Sequence, residues 1–227
     1  MDDTGIGHSA PGSPRPDPAR PGPAALDFSL LDHDGPWTEA EYLALPRGSG
    51  RFEVVDGTLL VGPGIPPRRA AVVARVRDAI ADAVPDGLAV IGPVPLRLGQ
   101  DCVLLPDLVV VAESTGTDAH AVLDSGAALM VVEFVGRDHG AVGRRFKPQL
   151  YARSRIPYSL LIDHDGPFAV AEMIINGRYH EYASATDGAL LLLEEPFHLE
   201  LDLGAVTAPV SATRDAAAVT AETPVVS

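Results

Sequence analysis

Apolar residues recur along this chain with two periods, and the switches between them mark out its elements. The segment "WTEAEYLAL" sets Thr38 three residues before Glu41, the spacing of a reciprocal capping box, with Trp37 and Tyr42 placed as a hydrophobic staple. A short helix from about Glu39 to Leu45 is expected. "RFEVVDGTLLVG" follows as two β-rich runs around Asp56-Gly57, a strong signal for a two-residue hairpin. In "PPRRAAVVARVRDAIADAVP" the residues Val72, Val73, Val76, Ile80 and Val84 share one face, while Arg75, Arg77, Asp78 and Asp82 fall elsewhere. That periodicity predicts an amphipathic helix bounded by prolines.

Strand-like runs resume at "LAVIG", "VPLRLG", "DLVVVAE" and "ALMVVEFV". The last two are apolar at consecutive positions, which suits central strands covered on both faces. A basic segment, about Gly140 to Ser154, reads as a helix, and Pro148 requires that it either start near Lys147 or kink there. "IPYSLLID", "FAVAEMII" and "RYHEYASA" supply further strands, with Asn176-Gly177 turning between the last two. The expected fold class is therefore α/β, with a mixed central β-sheet flanked by helices. The strands from Phe168 to Tyr182 could pair in a homodimer or complete the sheet, and the pattern does not choose between them.

One feature of "ALMVVEFV" goes against its surroundings. Glu133 sits inside an apolar strand, where a bare carboxylate costs several kcal/mol unless it is paired, hydrogen-bonded or metal-bound. Asp107 begins the apolar run "DLVVV" directly after Pro106, and Glu53 lies in "RFEVV". Hard oxygen ligands converging from neighbouring strands make a site for Mg²⁺ or a similar cation such as Mn²⁺. A metal would remove the penalty on Glu133. Sixteen of the 17 basic residues are arginine, so Lys147 is the only lysine. It falls 14 residues after Glu133, near the start of the next helix, where a compact ammonium could reach that carboxylate.

Composition narrows the picture. Residues 1–36 and 204–227 are rich in Pro, Gly, Ala, Ser and Thr without periodicity, and are expected to be disordered tails around one domain at 37–203. The first residues carry no basic and apolar leader pattern, and no apolar run approaches membrane-spanning length, so a cytoplasmic protein without membrane contact is expected. The lone Cys102 excludes a disulfide framework within the chain. A net charge of −14 argues against coating nucleic acid by bulk electrostatics. Locally, however, Arg137, Arg144, Arg145, Lys147, Arg153 and Arg155 face a single acid, Asp138, and such a cluster could meet phosphates.

Taken together, "WTEAEYLALP…RFEVVDGTLLV…LPDLVVV…LMVVEFVG…KPQLYARSRIPYSLLID" resembles the Uma-two family of restriction endonucleases, a branch of the PD-(D/E)XK nuclease superfamily. The resemblance implies a restriction-endonuclease-like three-layer core acting on DNA with Mg²⁺ or Mn²⁺. It makes Asp107 the "PD" acid, Glu133 the (D/E) and Lys147 the lysine displaced to the following helix. Glu53 would be an accessory metal ligand or orienting acid, and Arg137, Arg144 and Arg145 would contact the nucleic acid. The chain departs from the family pattern where Gly136-Arg137 replaces Ser-Pro, where Gly143 replaces an aspartate, and where Arg68 or Arg69 stands for a histidine.

The competing reading is a nuclease-fold module that binds DNA or protein without cutting. A histidine metallohydrolase built on "RDHG" and "LIDHDG" is disfavoured, because no helical His pair is present and His139 and His164 read as solvated turn residues. No G-x-S-x-G, P-loop or dinucleotide fingerprint occurs.

Overall fold

The computed structural model describes residues 33–46, 50–62, 64–115, 122–136 and 145–209. Gly35–Ser227 clusters as one compact unit, to which every element below belongs. Helix α1 (Glu39–Ala44) starts at the expected capping box: Thr38 accepts from the Glu41 backbone, and Glu41 accepts from the Thr38 backbone at 2.8 Å. Strands β1 (Arg51–Val55) and β2 (Thr58–Gly62) form the hairpin, with Asp56 and Gly57 both at positive φ, as the tight mirror-image turn requires. Helix α2 (Pro67–Ala83) buries Arg69, Val72, Val76 and Ile80 on one stripe. The three apolar side chains contribute on the order of 1.5–3 kcal/mol each by leaving water.

A six-stranded mixed sheet forms the centre. Its order is β11 (Arg178–Thr186), β10 (Phe168–Ile175), β9 (Tyr158–Asp163), β8 (Ala128–Val135), β6 (Leu108–Ala112) and β3 (Leu88–Ile91). Only the β8–β9 pair is parallel, because α3 (Lys147–Arg153) lies on the connection between these strands. The helix begins at Lys147 with Pro148 in its first turn, where the missing N–H costs nothing. The strands from Phe168 to Thr186 complete this sheet, pairing with β9.

Both faces of β6 and β8 are buried, as their unbroken apolar runs predict. On one face α2 packs with a ribbon of β12 (Leu190–Leu193) and β13 (Leu199–Asp202) and with the short helix α4 (Leu203–Thr207). On the other face α3 packs together with a second sheet of five strands, ordered β2, β1, β5 (Cys102–Leu104), β4 (Leu96–Gly99) and β7 (Leu123–Asp124). The core is mixed α/β, with fewer helices and more sheet in its outer layers than the chain's pattern suggests. Among the described residues no helix is long and apolar enough to cross a membrane.

Candidate active site

Strand alternation decides which side chains meet. Val109, Val111 and Val131 point to the face covered by α3. Asp107 precedes Val109 by two positions and Glu133 follows Val131 by two, so both acids emerge on that same face. Glu53 comes from β1 in the second sheet, and Lys147 and Tyr151, one helical turn apart, come down from α3. Lys147 Nζ lies 2.6 Å from Glu53 Oε1 and 3.0 Å from Glu133 Oε1. The Tyr151 hydroxyl donates to the same Glu133 oxygen at 2.5 Å. Glu133 thus finds its partners in Lys147 and Tyr151, and its burial at 5% exposure requires no metal in this arrangement.

Asp107, 1% exposed, is held differently. Arg51 Nη1 donates to its Oδ1 at 2.9 Å, and Arg69 Nη2 donates to its Oδ2 at 2.6 Å. The backbone N–H of Phe134 reaches Oδ2 at 2.9 Å, so the carboxylate extends the β6–β8 ladder one step beyond its last backbone pair. Arg51 also donates to the Leu105 carbonyl, and the Leu105 N–H donates to Glu53 Oε1 at 2.8 Å. Gly92, at the end of β3, closes the site from behind. Its φ is +143°, and a Cβ there would overlap the Asp107 carbonyl oxygen and stand 2.9 Å from Leu108 Cα.

All four principal acids and bases expected from the sequence, Glu53, Asp107, Glu133 and Lys147, therefore meet in one cluster. Arg51, Arg69 and Tyr151 join them, and the sequence carries a signal for each. Arg51 sits two positions before Glu53 on one strand face, Tyr151 sits four after Lys147 on a helix, and Arg69 continues the buried stripe of Val72, Val76 and Ile80. Arg137 and Arg144 lie outside the described residues, as does His139. Arg145 is exposed, two residues ahead of α3.

The reading of His164 as a solvated turn residue is corrected. It does sit in the turn after β9, but it is only 8% exposed, and its Nδ1 is buried without a hydrogen-bond partner. Gly136 makes room for the ring, because a Cβ there would lie 2.7 Å from both His164 Cε1 and Asp165 Oδ2. A side chain at position 136 would have to displace the His164 ring or the Asp165 carboxylate.

Electrostatics follow from the interleaving. Burial pushes the Glu133 pKa up; the Lys147 ammonium opposes this, and Asp107 and Glu53 add to it. For Lys147, burial alone would pull the ammonium down, but Glu133 and Glu53 outweigh it and hold the pKa above the ordinary lysine value. Burial, and then the nearby glutamates, keep the Tyr151 hydroxyl protonated, so it acts as a donor. The contacts alternate three carboxylates with three cations. Among the described residues no group of three or more His, Cys, Asp or Glu side chains is placed to hold a metal. A Mg²⁺ ion needs fewer, taking one or two carboxylates and keeping several waters. Donors of that kind remain: among the described residues neither Glu133 Oε2 nor Glu53 Oε2 accepts a hydrogen bond. An apolar cavity of about 390 Å³, walled by Tyr42, Phe52, Pro93 and Pro95, shares Arg51 and Leu105 with the cluster.

No curated protein matches the chain. A solved structure described as "a putative nuclease belonging to DUF820", from Anabaena variabilis ATCC 29413, is similar with a TM-score of 0.62 at 18% identity, covering 76% of this chain and 100% of that one. At that identity the likeness concerns the fold alone. The model of the Uma2 family, described as "Putative restriction endonuclease", matches residues 39–206, a span that contains every member of the cluster, and the chain belongs to that family.

Proposed function

We propose that this protein is a divalent-metal-dependent nuclease that hydrolyses phosphodiester bonds in DNA at the cluster of Glu53, Asp107, Glu133 and Lys147. The observation that carries the reading is the position of Lys147 Nζ, within 3.0 Å of two carboxylates whose second oxygens accept no hydrogen bond among the described residues. Glu133 would hold Mg²⁺ or Mn²⁺ through Oε2, Asp107 would join through Oδ1 once Arg51 turns from it to the substrate, and Glu53 would be an accessory ligand or the acid that orients Lys147. A bound divalent ion supplies a water of lowered pKa and a Lewis acid for a phosphoryl oxygen. Tyr151 and Lys147 both fasten Glu133 Oε1, which leaves Oε2 as that side chain's available donor. Lys147, kept charged by its neighbours, would stabilise negative charge growing on the phosphate oxygens. The Arg51 fork, now shared between Asp107 and the Leu105 carbonyl, has the geometry to take a phosphate instead.

Purified protein should nick or linearise plasmid DNA with Mg²⁺ or Mn²⁺, and Glu133→Gln and Lys147→Ala should each lower the rate at least 100-fold, the scale on which single catalytic groups act. Cleavage persisting in both variants would remove the mechanism. A second reading, a DNA- or protein-binding module that does not cut, is favoured by the charge balance of the cluster, since three acids matched by three cations leave no net charge to attract a metal. Calorimetric titration separates the two: Mn²⁺ binding lost in Glu133→Gln supports the nuclease, and no binding by the wild type supports the module.

A further inference from the structure

On a chain of net charge −14, arginines without partners are conspicuous. Among the described residues Arg51, Arg68, Arg69, Arg75, Arg77 and Arg97 each bond a carboxylate or a carbonyl. The side chains of Arg145, Arg153, Arg155 and Arg178 meet neither. Three of these four, Arg145, Arg153 and Arg178, line one cavity of about 620 Å³ together with Gln149, Glu172 and Tyr179.

Helix geometry explains their gathering. Gln149 and Arg153 lie one turn apart on α3 and are exposed, with exposed Arg145 just ahead of the helix, while Lys147 and Tyr151, offset by two positions from Gln149 and Arg153, point inward to Glu133. One face of α3 therefore serves the catalytic cluster, and the opposite face forms one wall of the cavity. Arg178 and Tyr179, at the start of β11, form the facing wall, anchored by the Tyr179 hydroxyl on the Ile156 carbonyl at 2.9 Å. The single acid in the lining, Glu172, is half-buried and paired across the strands with Glu181; burial and that neighbour raise its pKa and weaken its opposition to an anion. Three exposed guanidinium groups lining one groove present paired donors that match phosphate oxygens.

From this placement we infer that the groove between α3 and the β10–β11 hairpin is a second nucleic-acid contact, taking backbone phosphates of the strand that flanks the scissile bond, with Arg145, Arg153 and Arg178 as the ligands. The inference rests on the nuclease reading for its substrate, but uses none of the cluster's residues. A helix is about 10–12 Å across, so a strand passing over α3 reaches both faces within a few nucleotides. Contacts of this type fix register without reading sequence.

The test is the binding of a fluorescein-labelled 20-base-pair duplex to the full chain, followed by anisotropy with divalent metal withheld, between about 50 and 200 mM salt. Each phosphate contact contributes about 0.9 to the slope of log K against log salt, so Arg153→Ala/Arg178→Ala should lower its magnitude by about 2 for several unrelated sequences alike. Arg77→Ala, an exposed arginine on α2 paired with Asp78, is the control and should leave the slope unchanged. A double variant with the wild-type slope overturns the groove while leaving the nuclease reading standing if plasmid cleavage continues. Loss of binding to inorganic pyrophosphate with an unchanged duplex slope would instead make the groove a small-anion site, and the inference would be wrong. A wild type that neither binds duplex nor cleaves plasmid refutes both.

Discussion

Replacing Asp107 and replacing Glu133 should have different consequences, although both are buried carboxylates of one cluster. Asp107 accepts from two guanidinium groups and from the Phe134 backbone. In Asp107→Asn the amide removes the negative charge that both Arg51 and Arg69 face from inside the protein. Removing one partner of a buried pair costs about 3–5 kcal/mol, because the opposite charge stays behind in a poorly solvated place. For a domain of this size each kcal/mol moves the melting temperature by roughly 2–4 °C, so Asp107→Asn should melt about 6–20 °C below the wild type. In Glu133→Gln the amide oxygen can still accept from Tyr151 and Lys147, and Lys147 keeps Glu53 at 2.6 Å. Burial already disfavours the charged form of Glu133, so neutralising it costs about 1 kcal/mol at most, or roughly 4 °C. Circular-dichroism melts of both variants and the wild type, at neutral pH without metal, make the comparison. Equal shifts, or a larger one for Glu133→Gln, would refute the assignment of Asp107 as the charge anchor. In the proposed cleavage test, a loss in an Asp107 variant would therefore mix folding with chemistry, whereas Glu133→Gln would isolate the chemistry.

Two further outcomes follow from the same contacts. Glu133 has a raised pKa in the folded state, so the folded protein holds a proton that the unfolded chain has released; its contribution to stability is largest below the ordinary glutamate value and is lost as pH rises through the folded one. The wild type's melting temperature should accordingly fall relative to that of Glu133→Gln across that window, and a constant difference would contradict the shift. Gly92→Ala introduces a methyl against the Asp107 carbonyl and 2.9 Å from Leu108 Cα at a φ that favours glycine, so β3 and β6 must separate. A loss of about 1–3 kcal/mol in a chemical denaturation curve is expected, together with reduced cleavage, and an unchanged curve would count against this tight approach.

The parts of the fold legible in the sequence are those set by local signals. The Asp56-Gly57 and Asn176-Gly177 turns, the capping box at Thr38 and the stripe on α2 each lie within a short window, and each element formed where its window placed it. Strand β5 escaped, having three residues whose pairing with β1 and β4 is decided elsewhere in the chain. The β12–β13 ribbon escaped for another reason. Leu190 and Leu192 are exposed while Leu191 and Leu193 are buried, so four identical residues conceal an alternation that structure alone resolves. His164 is buried although "DHDG" has turn composition, and nothing local reveals the space that Gly136, a sequence-distant glycine, leaves for the ring.

The cluster divides along the same line. Glu133 and Asp107 were legible because a carboxylate in an apolar run contradicts its neighbours, and Lys147 because it is the only lysine. What such contradictions do not specify is the agent that resolves them. The demand for a partner at Glu133 is equally well met by a metal or by an ammonium and a phenol, and the structure answers with Lys147 and Tyr151. The arginines on Asp107 carried no contradiction of their own, since an arginine near a helix or strand start is ordinary on a surface; only the register of Arg69 with Val72, Val76 and Ile80 placed it inside. A buried charge is thus announced by the residue that does not fit, while its counter-charge stays hidden among residues that fit anywhere, and any metal at this site must compete with cations already in place.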